Sequence, residues 1–247
     1  MLSKSDKSAL RSTIFRHLNG IATASTMHTL NKRGILDYLL KQKKVDIGNI
    51  SKKFSASEGY LNVALRTLCS QGWLTQSQNN AQNTVSYEIN ENIKLAFGYA
   101  SLYDDATHLL TYSVKFPIEG ISKDAFYVLD KKFKDYKRNY GIKNIMPNSI
   151  EYQILKHIEG VIVAPIIVLL GVNGLFHKYF MEASFRAQEF HKNPENFKQV
   201  LDFFVFLGWF QKNRETYRFT DKGLFFAKRA TAYGVTVSYL PTFTLLN

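Results

Sequence analysis

The sequence predicts a mainly α chain with small β wings, built as two three-helix-plus-wing units in tandem and joined by a helical linker. Three observations predict it. The chain repeats itself, each copy runs from helical to hairpin periodicity, and both copies are punctuated by the same glycines. At 247 residues and 45% hydrophobic, the chain is long enough for two small units, each with its own core.

The repeat is read without a gap over its first part. HLNGIATASTMHTLNKRGILDYLL from His17 aligns with HIEGVIVAPIIVLLGVNGLFHKYF from His157, at an offset of 140. Gly20 meets Gly160, Ala24 meets Ala164 and Gly34 meets Gly174. At an offset of 136, Phe54 meets Phe190 and Gly72-Trp73-Leu74 meets Gly208-Trp209-Phe210. At 130, Tyr87 meets Tyr217. The tail is placed back at 136, where Gly98 and Tyr103 meet Gly234 and Tyr239. In that register the second copy stops inside an element that the first completes, so the parent protein is expected to continue past Asn247.

The elements follow in order. Met27, Leu30, Ile35 and Leu39 give a helical stripe from Thr26 to Lys41, stepped at Gly34. Asp46 suits the N-cap of a short helix reaching Phe54. Ser55 or Ser57 starts a third helix, with Leu61, Ala64, Leu65 and Leu68 on one face and Gly72 beyond its end. Two β-prone runs then flank the turn-rich QNNAQN as a hairpin. Three helices and a wing make a winged helix. The second copy repeats the plan, with a short helix between Glu182 and Phe190, a third helix starting at Asn193 or Pro194, and a tighter wing tipped by Lys212 to Glu215. The expected units are residues 1–98, a basic helical linker at 99–150, and 151–247.

Gly160 to Phe176 is free of charge, but Pro165 and its glycines interrupt it short of the roughly 20 apolar residues that span a membrane. A helix buried in the protein is expected instead. The single cysteine, Cys69, excludes an intrachain disulfide and fits a cytoplasmic location, and Met1 to Lys7 lacks the apolar run of a secretory signal.

The net charge of +12 raises nucleic acid as a partner. Its placement argues against DNA reading. The outward face of the first unit's third helix is expected to carry Glu58, Asn62, Arg66 and Gln71, and its wing has no cation. The second unit's third helix carries Phe203, Phe204, Val205, Phe206 and Leu207 in a row, which no major groove accepts. The densest basic run includes Lys131, Lys132, Lys134, Lys137 and Arg138, interleaved with aromatics. It reads as an acidic-partner or nucleic-acid surface, or as the solvated face of an amphipathic helix, and the spacing favours the latter.

No complete catalytic site is visible. The six histidines form no metal-ligand spacing. His17 and His157, at matching repeat positions, suggest a structural helix-end role. Asp104 and His108 share a helical face and read as a surface pair. Gly171 to Gly174 has neither the strand nor the Lys of a phosphate loop, and no nucleotide or adenosyl cofactor site can be placed.

The first unit resembles the N-terminal winged-helix domain of class I S-adenosylmethionine-dependent methyltransferases of the O-methyltransferase type. NKRGILDYL, then IGNISKKFSASEGYLNVALRTLCSQGWL, then the wing and YEIN carry the resemblance. The doubled arrangement, with its tail AYGVTVSYLPTF, is similar to the lid region of methyltransferase domains in polyketide synthases. The resemblance implies a lid and dimerisation or docking module, with no cofactor in this chain and S-adenosylmethionine bound by the parent protein. It implies an adjoining methyltransferase core, a second copy in a homodimer, and an acyl-carrier or synthase protein as partners, with no nucleic acid and no membrane. The apolar face expected to meet a partner comprises Phe203, Phe204, Phe206, Trp209, Ile166 and Leu169. The alternative is a tandem winged-helix DNA-binding regulator.

Overall fold

The computed structural model describes residues 2–79, 84–113, 145–146, 149–182 and 184–240. It begins with α1 (Lys4–Lys32), which starts on a capping box between Ser3 and Asp6 and runs far upstream of the stripe predicted from Thr26. Gly34, at φ 69°, breaks the path, and α2 (Ile35–Leu40) follows. The predicted single helix is therefore two, because a left-handed residue cannot continue an α-helix.

The first unit then runs β1 (Lys44–Asp46), α3 (Ile47–Phe54), α4 (Glu58–Ser70), β2 (Leu74–Asn79) and β3 (Thr84–Ile89). Asp46 Oδ1 accepts from the Gly48 and Asn49 amides, which caps α3 as its sequence position requires. Past α4, Gly72 lies at φ 76° and the Trp73 amide returns to the Leu68 carbonyl, so the chain turns sharply into the wing. Helices α5 (Ile93–Gly98) and α6 (Ala100–Ser113) complete this half.

The second half opens with α7 (Ile150–Val172), capped by Ser149, and continues through α8 (Leu175–Tyr179), β4 (Phe185–Arg186), α9 (Ala187–Phe190) and α10 (Pro194–Phe206). The wing is β5 (Phe210–Asn213) and β6 (Thr216–Phe219), joined at Arg214-Glu215 with Arg214 at φ 53°. Helices α11 (Asp221–Ala227) and α12 (Thr231–Ser238) follow. Each half holds a three-stranded antiparallel sheet, ordered β1-β3-β2 and β4-β6-β5. The fold is thus mainly helical with small β wings. The short outer strands β1 and β4 were not foreseen, since three and two residues are too few for a period-2 signal.

The predicted short helix from Glu182 shrinks to α9, because Phe185 and Arg186 pair with Tyr217 and Thr216. The halves do not stand apart. Helix α1 packs along α7, α6 lies against both, and α12 packs on α7 and α1, so one continuous apolar core joins the two units. Helix α7 is the one described helix long and apolar enough to cross a membrane, and 78% of its most apolar window is buried inside this chain. Proline at 165 sits within it, buried.

Candidate functional site: the crossing of the two long helices

Helices α1 and α7 cross at their glycines. A Cβ added to Gly20 would overlap the His157 backbone, and one added to Gly160 would overlap the His17 backbone. The backbones therefore touch where each repeat has His-x-x-Gly followed by alanine four residues on, and Ala24 and Ala164 are both fully buried beside the contact. The helix-end role expected for the two histidines is corrected here. Both lie within their helices at the closest approach, 1% and 0% exposed.

Each histidine is held by a tyrosine of the other half. His17 Nδ1 lies 2.9 Å from the Tyr233 hydroxyl on α12, and His157 Nδ1 lies 2.9 Å from the Tyr103 hydroxyl on α6. Tyr103 and Tyr233 stand at an offset of 130, so the tail register of 136 read from the sequence is corrected. The shorter second wing shifts everything after it, and the tail stays in the wing's register. The tryptophans follow the same exchange. The Trp73 ring lies 6.2 Å from His157, while Trp209 stacks at 4.1 Å on Phe226, whose ring faces His17 at 6.1 Å. Gln153 on α7 adds a further tie, accepting from Trp73 Nε1 at 3.2 Å and donating to Gln71 Oε1 at 3.0 Å.

The two locks differ electrostatically. His17 Nε2 faces Glu159 at 3.4 Å, and Glu159 also pairs with Lys156. Burial acts to raise the Glu159 carboxyl, but the Lys156 charge and the His17 hydrogen bond outweigh it and hold the group well below the usual carboxylate range. An ionised Glu159 only accepts, so His17 carries its proton on Nε2 and Tyr233 donates to Nδ1. His157 Nε2 has no hydrogen-bond partner among the described residues. Burial, with the Arg16 charge behind it, pushes the His157 imidazole down to about 3. Burial lowers His17 as well, against the pull of Glu159. Lys222 is lowered by burial and by Lys156, and its ammonium donates to the Leu207 carbonyl at 2.7 Å. With Glu159 only 5% exposed, this cluster is sealed. It joins the two halves.

The other predicted residues fall elsewhere. Phe203, Phe204, Trp209 and Ile166 are buried in the chain's own core, so they are corrected from partner surface to packing. Phe204 meets Trp209 at 4.9 Å and Phe210 at 5.9 Å. Leu169 is half-buried, and Phe206 keeps 37% of its surface exposed. Lys131, Lys132, Lys134, Lys137 and Arg138 lie outside the described residues. Asp104 pairs with His28 Nδ1 at 2.8 Å and accepts from Asn31 Nδ2 at 3.0 Å, in place of the expected His108. The His108 ring sits edge-on to His28 at 6.1 Å. No cluster of metal-binding side chains occurs among the described residues.

The recognition helices are also revised. On α4, Asn62 accepts from the Tyr87 hydroxyl and Gln71 is buried, so the outward face is Glu58, Tyr60, Val63 and Arg66. In the second unit Lys212 is bound by Asp202 at 2.8 Å, and Lys198 by Glu215 at 2.8 Å and Glu195 at 3.0 Å.

Residues 10–76 match the family described as the AprA N-terminal domain, and residues 159–247 match the AprA winged helix domain. The AprA N-terminal match spans α1 to the start of β2, and the AprA winged helix match begins inside α7, at Glu159 of the crossing. No curated protein matches the chain significantly. Tyr233, Glu159 and Gln153 were not singled out from the sequence, and Tyr103 was read only as a repeat position. The signal that locates them is the doubled His-x-x-Gly-x-x-x-Ala, which marks where two helices touch.

Proposed function

We propose that this chain is the N-terminal lid and docking module of an S-adenosylmethionine-dependent methyltransferase of the polyketide-associated type, whose cofactor-binding core lies outside these residues. The observation that carries the reading is the joint between α1 and α7. Its histidines and Glu159 bind the two units to each other and are buried, which supports a role in assembly. The O-methyltransferase-like motifs of the first unit and the two AprA domain matches support the same direction.

The alternative, DNA reading, draws support only from the net charge of +12. Lys198 of α10 and Lys212 of its wing are held by Glu195, Glu215 and Asp202, and Arg218 donates to Gln211, which leaves these cations poorly placed to neutralise phosphates. The test measures methyl transfer by the parent protein's core with and without this chain. Loss of turnover or of acceptor binding without it, and none of either function in the chain alone, is the expected result. Micromolar, steeply salt-dependent DNA binding by the isolated chain would sink the reading in favour of a regulator.

A further inference from the structure

The first unit keeps an apolar groove between α1 and α4, with a volume of about 540 Å³. Buried Leu30 and Leu61 form its floor, and Thr26, Tyr60 and Val63 its walls. Tyr60 and Val63 are 73% and 66% exposed, so solvent meets two large apolar side chains on one helix face. Arg33 is the one charged residue in the lining, and no carboxylate lines the groove.

The repeat supplies the second argument. In the register that aligns the two units, Asn196 and Gln199 replace Tyr60 and Val63, and Asn173 replaces Arg33. The second unit builds the same helices with polar residues there. The fold therefore does not require the apolar pair or the cation at these positions, and a ligand is one way to account for them. The groove is of small-molecule size, with a mostly apolar accessible surface, the hydroxyl residues Ser25, Thr26, Thr29, Ser55 and Ser57 around it, and Arg33 as its charged group.

We propose that this groove binds a small amphiphilic carboxylate, its hydrocarbon body lying between Tyr60, Val63 and the Leu30–Leu61 floor and its carboxylate meeting the Arg33 guanidinium. A guanidinium with no carboxylate partner among the described residues, beside apolar walls, selects an anion over a cation and an apolar tail over a short one. The site is separate from the α1–α7 joint and does not depend on what the module docks against.

The probe is octanoate, titrated into the whole 247-residue chain and followed by calorimetry and by amide shifts, with acetate and octylamine in parallel. Octanoate is expected to saturate with a Kd of about 1 mM or tighter, and octylamine about tenfold more weakly. Acetate is expected to show no saturation in that range. Arg33→Asn brings octanoate down to the octylamine level, and Tyr60→Asn with Val63→Gln weakens octanoate by about tenfold. All three substitutions install the second unit's own residues, so the fold is expected to survive, which thermal unfolding checks. Absence of saturable octanoate binding overturns the proposal. So does equal binding of octylamine, or binding that these variants leave unchanged. A chain that self-associates through this face, shown by a dimer that Tyr60→Asn/Val63→Gln dissociates, overturns it as well.

Discussion

The first and second units follow one chain path, but they handle the same positions differently. Where α1 carries Thr23, Thr26 and Thr29, α7 carries Val163, Ile166 and Leu169. Where α4 presents Tyr60 and Val63 to solvent, α10 has Asn196 and Gln199 in sequence and buries Phe203 and Phe204. At the third helix, the first unit shows solvent an apolar pair where the second has polar residues in sequence. The joint between them shows the same divergence. One histidine is matched by a buried carboxylate, Glu159, and the other, among the described residues, by nothing on its Nε2. Asn19, at the position equivalent to Glu159, is exposed. A fused pair is free to diverge in this way, because each half needs to complement only the other.

The largest effect that can break the comparison is steric. Gly20→Val or Gly160→Val places side-chain atoms on the backbone of the opposite histidine, and each is expected to cost about 3 kcal/mol or more in chemical denaturation. If either is tolerated with little loss, the helices do not touch as described.

Next comes pH. Both histidines are neutral when folded, with depressed values, and protonate near the ordinary 6.5 when unfolded. The unfolded state therefore binds more protons below that value, and stability is full above it and falls as pH drops towards about 3 for His157. The expected slope is at most about 1.4 kcal/mol per pH unit for each histidine. Urea titrations at pH 7 and 5 measure it, and replacing either histidine by glutamine should remove that residue's share.

Smaller losses separate the two locks. Tyr233→Phe and Tyr103→Phe each delete one buried hydrogen bond, at about 1–2 kcal/mol. The Tyr103 variant should cost more, because His157 then loses the partner of Nδ1 while Nε2 already has none. Equal losses would show that Glu159 does not distinguish the halves. The smallest expected effect is a gain. Thr23 is buried with its hydroxyl unpartnered among the described residues, while its counterpart is Val163. Thr23→Val is expected to raise stability by about 1 kcal/mol, read as a higher urea midpoint at unchanged slope.

Much of the architecture was legible in the sequence because a duplication writes it twice. Gly72-Trp73 and Gly208-Trp209 mark the two turns into the wings, and both glycines adopt the positive φ that such turns need. The joint was only half legible. Its glycines and histidines were aligned, but a repeat offset says which residues are equivalent and not which residues touch.

By itself, then, the sequence determined the two helical units, their wings and the single-residue caps and breaks, since these depend on local spacing and backbone conformation. The tertiary structure decided that the units interlock across α1 and α7, that the row of Phe in α10 faces inward, and that Tyr103 and Tyr233 stand equivalent. The reason is physical. Burial and long-range hydrogen bonds depend on which surfaces meet, and residues more than fifty positions apart meet only once the chain is folded.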